Sequence, residues 1–96
     1  MAGRAADQPP VGQVRLVGRA GCHLCDEARV VVERECRRAG VPLVEVSIDD
    51  DPELHARYWD LIPVVEVDGE RVEALRVDAD RLRARLRPER RRRLLW

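Results

Sequence analysis

The chain contains no phenylalanine and no lysine. Aromatics make up only 3% of its 96 residues, so any core must be filled by Val, Leu, Ile and Ala. The formal net charge is zero, so no global field draws the molecule to nucleic acid or to an anionic membrane. No run approaches the ~18 apolar residues of a membrane span. Residues 1–13 hold no apolar stretch of signal-peptide length. Three cysteines cannot all pair within one chain, which argues against a secreted disulfide framework. There is no internal repeat, no second C-x-x-C and no H-x₃-H, so a zinc site lacks its remaining ligands and no metal is expected. These absences lead to the expectation of one small, soluble, cytoplasmic domain, monomeric, with no nucleic-acid or membrane partner.

What is present is unevenly distributed. Residues 43–73 carry ten acidic side chains against Arg57 and Arg71, while residues 81–93 carry eight Arg against Glu89. Exclusive use of Arg is first of all a compositional bias, and the basic residues from Arg90 to Arg93 read as a frayed end. Residues 1–12 are polar, with Pro9-Pro10, and read as a disordered lead-in; residues 13–87 form the expected domain, and residues 88–96 a basic tail.

Within the domain, the pattern predicts strands and helices in the order β-α-β-α-β-β-α. Val14 to Val17 forms a first strand, closed by a turn between Gly18 and Gly21. A helix is expected over residues 22–39, with Cys25, Ala28, Val32, Cys36 and Ala39 on one buried face, Gly40 just past its end and Pro42 blocking continuation. Residues 43–48 form the second strand. Asp51 is a natural N-cap and Pro52 a natural first helical residue for a short second helix, which Tyr58 and Trp59 would close against the sheet. The acidic triplet Asp49-Asp50-Asp51 lacks the spacing and glycine of a calcium loop. Residues 64–67 and 71–74 are strands joined by Asp68-Gly69, a two-residue hairpin signal, with Glu66 expected to face Arg71. A last helix starts near Asp78 or Asp80, buries Leu82 and Leu86, and stops at Pro88. The early strands require a parallel crossover through the first helix, and helices must cover both faces of a small mixed sheet.

The chemistry concentrates at Gly21-Cys22-His23-Leu24-Cys25, a C-x-x-C at a helix start. In a reducing compartment such a pair is catalytic or metal-binding more often than structural. A thiol at a helix N-terminus gains from unpaired N–H groups and the helix dipole, which favour its thiolate. Arg19 and a protonated His23 would add positive charge, and Asp26 and Glu27 oppose it. His23 is read either as a relay near the thiols or as an exposed spacer. Cys36 returns to the same helical face as Cys25 and reads as a buried small apolar residue.

The strand, the C-x-x-C at a helix start, Ile62-Pro63-Val64 before the hairpin and the terminal helix together resemble the glutaredoxin/thioredoxin fold. More narrowly, Cys22-His23-Leu24-Cys25-Asp26-Glu27-Ala28 resembles the small glutaredoxin-like proteins. The resemblance implies an α/β thioredoxin-like, glutaredoxin-type fold with a four-stranded mixed sheet. It implies Cys22 as the nucleophile and Cys25 as the resolving thiol. Pro63, preceded by Ile62, matches the substrate-positioning cis-proline facing the dithiol, and Arg19 matches a basic residue that tunes the thiol. The implied activity is dithiol–disulfide exchange on protein or small-molecule disulfides, with a thiol reductant or a reductase as partner and no bound cofactor. A non-catalytic adaptor role and a thiolate-bound metal or iron–sulfur site are the alternatives. His-Leu stands where glutaredoxins often carry Pro-Tyr, and their Gly-Gly and acidic pair are not reproduced in residues 75–80. Glutathione is thus an open choice of reductant.

Overall fold

A computed structural model describes residues 11–87. The lead-in before Val11, the stop at Pro88 and the Arg-rich tail lie outside these residues. The expected order is the one found: β1 (Val14–Gly18), α1 (His23–Ala39), β2 (Leu43–Ser47), α2 (Pro52–Tyr58), β3 (Val64–Val67), β4 (Glu70–Ala74) and α3 (Ala79–Leu86), with a short 3-10 turn at Ile48–Asp50 taking the end of the expected second strand. The sheet order is β2-β1-β3-β4. β1 and β2 run parallel across α1, and β3 lies antiparallel to both β1 and β4.

Side-chain alternation along the strands divides the core into two. Val14, Leu16, Val65 and Val67 pack with Ala28, Val32 and Cys36 of α1 and with Leu82 and Leu86 of α3. On the other face Val17 and Val64 pack with Ile48, Leu54 and Tyr58, the last two from α2. Aliphatic side chains thus fill the first cluster without an aromatic ring. No helix among the described residues is long and apolar enough to cross a membrane.

Local signals set the element ends. Gly40 adopts a left-handed φ of 69° and closes α1. The Asp51 carboxylate accepts hydrogen bonds from the N–H groups of Glu53 at 2.9 Å and Leu54 at 3.3 Å, a cap that contributes about 1 kcal/mol. The triplet Asp49-Asp50-Asp51 therefore does turn and capping chemistry. Asp68 and Gly69 have φ of 50° and 87°, as a two-residue hairpin of this sense requires. Asp68 also accepts from the N–H of Gly12 at 3.1 Å and of Gln13 at 2.9 Å. Val11 also packs against the first core cluster.

Two expectations need correction. Glu66 does sit opposite Arg71 in the ladder, but its charge is met elsewhere. Arg15 on β1 donates to it at 2.7 Å and the buried Tyr58 hydroxyl at 2.6 Å, because Glu66 points toward α2 rather than along the hairpin. Trp59 does not close α2 against the sheet. Tyr58 takes that place, and Trp59, one residue on at the helix end, is 59% exposed.

Candidate active site: the Cys22–Cys25 dithiol

Gly21, with φ of 77°, turns the chain from β1 into α1 and leaves Cys22 as the N-cap residue. The Cys22 sulfur takes the role that a Ser or Asp oxygen usually plays. The backbone N–H of Cys25 donates to Cys22 Sγ at 3.1 Å. The Cα atoms of Cys22 and Cys25 are 5.1 Å apart, and the two residues form a disulfide. Their environments differ. Cys22 is half-buried, whereas Cys25, three residues further on the buried face of α1, is almost fully enclosed. An incoming reagent therefore meets Cys22 first.

Gly18 closes the site from below. A Cβ on Gly18 would stand 3.0 Å from Cys25 Sγ and 3.2 Å from Cys25 Cβ, so the end of β1 is glycine because the sulfur occupies that space. The β1–β3 ladder pairs Val17 with Val64, and continuing it one step sets Pro63 opposite Gly18. Neighbouring strands lie about 5 Å apart, which brings Pro63 to the dithiol end of the sheet. The Ile62–Pro63 peptide bond is cis and Pro63 is buried. The carbonyl of Tyr58 accepts from the N–H of Leu61 at 2.9 Å and of Ile62 at 3.2 Å, and the N–H of Leu75 donates to the carbonyls of Leu61 at 3.0 Å and Pro63 at 2.8 Å. The segment around Pro63 is thus tied to both α2 and the end of β4. Cys25 also borders an open cleft of about 560 Å³, with Gly18, Arg19, Arg29, Ser47 and Leu54 among its other lining residues.

The two expected charge partners of Cys22 are already engaged. Arg19 donates to Asp49 through two nitrogens, at 2.6 and 3.5 Å. His23 is 88% exposed, with Nε2 3.3 Å from Glu27, which favours the exposed-spacer reading. Cys36 is a free thiol sealed in the core between α1 and the sheet, and burial, with the nearby Glu35 charge, pushes its pKa up to about 11. Sequence reasoning missed Glu35 itself, although it falls three residues after Val32 on the same helical face. It is buried and held by Arg83 of α3 at 2.8 and 2.9 Å. It also missed Leu75, a non-glycine residue with φ of 68°.

Comparison with known proteins agrees with this geometry. Residues 13–87 match the family described as Glutaredoxin-like domain (DUF836). The chain is 32% identical to an uncharacterized protein of Mycobacterium tuberculosis over 77 residues, covering 75% of this chain and 79% of that protein. A structural-genomics target protein from X. campestris superposes with a TM-score of 0.64 at 37% identity, covering 78% of this chain and 96% of that one. A thioredoxin from Fasciola hepatica shares the fold, with a TM-score of 0.57 at 21% identity over 80% of this chain and 79% of that one. A thioredoxin-like sheet with a C-x-x-C pair at the start of its first helix, matched along nearly the whole described domain, identifies the chain as a member of the glutaredoxin-like (DUF836) family.

Proposed function

We propose that the protein is a dithiol–disulfide oxidoreductase. The observation that carries this reading is the asymmetry of the pair: Cys22 caps α1 at the surface, and Cys25 is enclosed behind it. In the reduced protein the Cys22 thiolate attacks one sulfur of a substrate disulfide, forming a mixed disulfide and releasing the first substrate thiolate. The Cys25 thiolate then attacks Cys22 Sγ, the second substrate thiolate leaves, and the Cys22–Cys25 disulfide closes. Two electrons pass to the substrate. A thiol reductant or a reductase returns the pair to the dithiol.

Thiolate stabilisation at Cys22 is assigned to the helix N-terminus, since the Cys25 N–H already points at its sulfur. Arg19 and His23 contribute less, because each stands against a carboxylate. Pro63, with Ile62 before it, is the wall against which substrate lies. Its absent N–H leaves that edge without a competing donor.

The test compares wild type with Cys22→Ser and Cys25→Ser. Reduced wild type should lose two thiols per molecule on exposure to a small disulfide and regain them with dithiothreitol. Cys25→Ser should accumulate the mixed disulfide, seen as an added mass. Cys22→Ser should form none. A wild-type protein that neither forms the Cys22–Cys25 disulfide nor exchanges with substrate would overturn the proposal.

A further inference from the structure

We propose that the end of the molecule opposite the dithiol is a docking surface for anionic lipid headgroups, built from the arginines of the α1–α3 seam and the Arg-rich, Leu-Leu-Trp sequence that follows them. The proposal stands apart from the oxidoreductase reading.

The seam holds an unbalanced cluster of charge. Arg34 and Arg38 of α1 and Arg83 of α3 all approach one buried carboxylate, Glu35. Arg83 hydrogen-bonds it at 2.8 and 2.9 Å. Arg34 and Arg38 stand 3.5 and 3.7 Å away, too far for a good hydrogen bond, and both are exposed. One negative charge thus gathers three guanidinium groups. Arg87 adds a fourth, since its Nη2 donates to the Arg38 carbonyl at 2.9 Å. Arg37 is exposed in the last turn of α1 and adds a fifth. The other acidic residues of this half of α1 and of α3 are Glu33 and Asp80, and Asp80 lies 3.4 Å from Arg83. Arg85 is matched separately by Glu70 at 2.9 Å.

The sequence after the seam extends the same character. Arg87 is tied to the end of α1, so the chain leaves α3 at this point. Arg90 to Arg93 and then Leu94-Leu95-Trp96 follow. At no more than about 3.6 Å per residue, Arg90 begins within about 11 Å of Arg87. Seam and sequel together bring nine Arg against four acidic residues, Glu33, Glu35, Asp80 and Glu89. The zero net charge that led to the expectation of no membrane partner averages this end with the acidic residues 43–73. Attraction to a surface depends on the local cluster, not on the average.

The occupant follows from the pairing of cations with apolar residues. A group of about four to eight basic side chains is attracted to anionic lipid headgroups. Leu and Trp beside such a group add apolar area at the headgroup level, where Trp is favoured. Nucleic acid suits the surface less well. The described residues of the seam carry no aromatic ring on which a base could stack, and Leu-Leu-Trp gains nothing from phosphate. Docking here also leaves the dithiol accessible. Arg34 and Arg38 lie about 18 and 24 Å along the α1 axis from Cys22, so the reactive end faces the solvent.

The test measures cosedimentation of the full chain with vesicles of phosphatidylcholine alone or mixed with phosphatidylglycerol, at low and high salt. Wild type should bind the mixed vesicles at low salt, release them at high salt and ignore phosphatidylcholine alone. Replacing Arg34, Arg37 and Arg38 together by Gln should weaken binding by about a hundredfold, at about fivefold per arginine. Replacing the same three by Lys should retain it. Urea midpoints of the two triple variants separate loss of charge from loss of fold: a Lys variant no more stable than the Gln variant should still bind. In Trp59→Phe, where Trp96 is the remaining tryptophan, emission should shift to the blue on the mixed vesicles. Absence of binding at low salt, equal binding to both kinds of vesicle, unchanged binding in the Gln variant or an unshifted Trp96 emission would overturn the proposal. Tighter binding to a DNA duplex than to the mixed vesicles at equal salt would overturn it as well, and would assign the surface to nucleic acid.

Discussion

Gly18 illustrates what single residues contribute that a motif does not reveal. Its position at the end of β1 is legible in the sequence as the start of a turn, but its reason is tertiary: Cys25 Sγ fills the space a methyl group would need. Gly18→Ala should therefore push the sulfur or the first turn of α1 aside, costing about 1–3 kcal/mol as overpacking does. It should also slow closure of the Cys22–Cys25 disulfide, because the Cys25 sulfur, the proposed resolving thiol, is the atom displaced. Urea unfolding and stopped-flow loss of the mixed disulfide would measure both. Unaltered closure with reduced stability would mean that the backbone, not the sulfur, absorbs the contact. Trp59 makes the opposite point. Its type suggests burial, but the turn on which it sits directs it outward, and composition carries no record of that.

Among the elements, α1 carries the clearest sequence signals and also a feature that they do not reveal. Its apolar spacing, its acidic start and basic end and Gly40 all fix its bounds to within a residue. A charged residue on the buried stripe breaks the binary pattern, and Glu35 is explained only by Arg83, which α3 brings to it in the fold. The hydrogen bonds from Arg83 hold the Glu35 carboxyl below its ordinary value near 4.5 despite burial, which pulls the other way; Arg38 and Arg34 add to the lowering. The sign follows from linkage. A carboxyl with a depressed folded pKa stabilises above its unfolded value and loses that contribution as pH falls through the folded value. Arg83→Met should therefore lower the urea midpoint at pH 7, and the gap to wild type should shrink on acidification below about pH 4.5. A gap that stays constant with pH would show that Arg83 acts through packing of its stem rather than through Glu35.

For the molecule as a whole, element order and sheet direction were legible because each strand and helix carries its own period, cap or turn, and short connections leave few topologies open. The pairing of charges across the sheet was not. Arg15, Glu66 and Tyr58 lie on three different elements, and only the folded register brings them together. That network belongs to the α2 face, as does the segment leading to Pro63, whereas α1 and α3 share the larger aliphatic core on the other side. The division assigns different tasks to the two faces. Leu82→Ala on the α3 side and Leu54→Ala on the α2 side each remove a buried leucine and should each cost about 2–5 kcal/mol, a large share of the ~5–15 kcal/mol that holds a small domain. Their effects on chemistry should diverge. Leu54 supports α2 and lines the cleft beside Cys25, so its loss loosens the Tyr58–Ile62 connection and should slow thiol exchange at Cys22 under conditions where the variant remains folded. Leu82 lies behind α1, away from that connection, and its loss should leave the exchange rate of the folded protein unchanged. Paired denaturant curves and exchange rates with a chromogenic disulfide would measure both quantities. If the two variants slow exchange equally, the sheet transmits strain from one face to the other and the site is not supported by α2 alone.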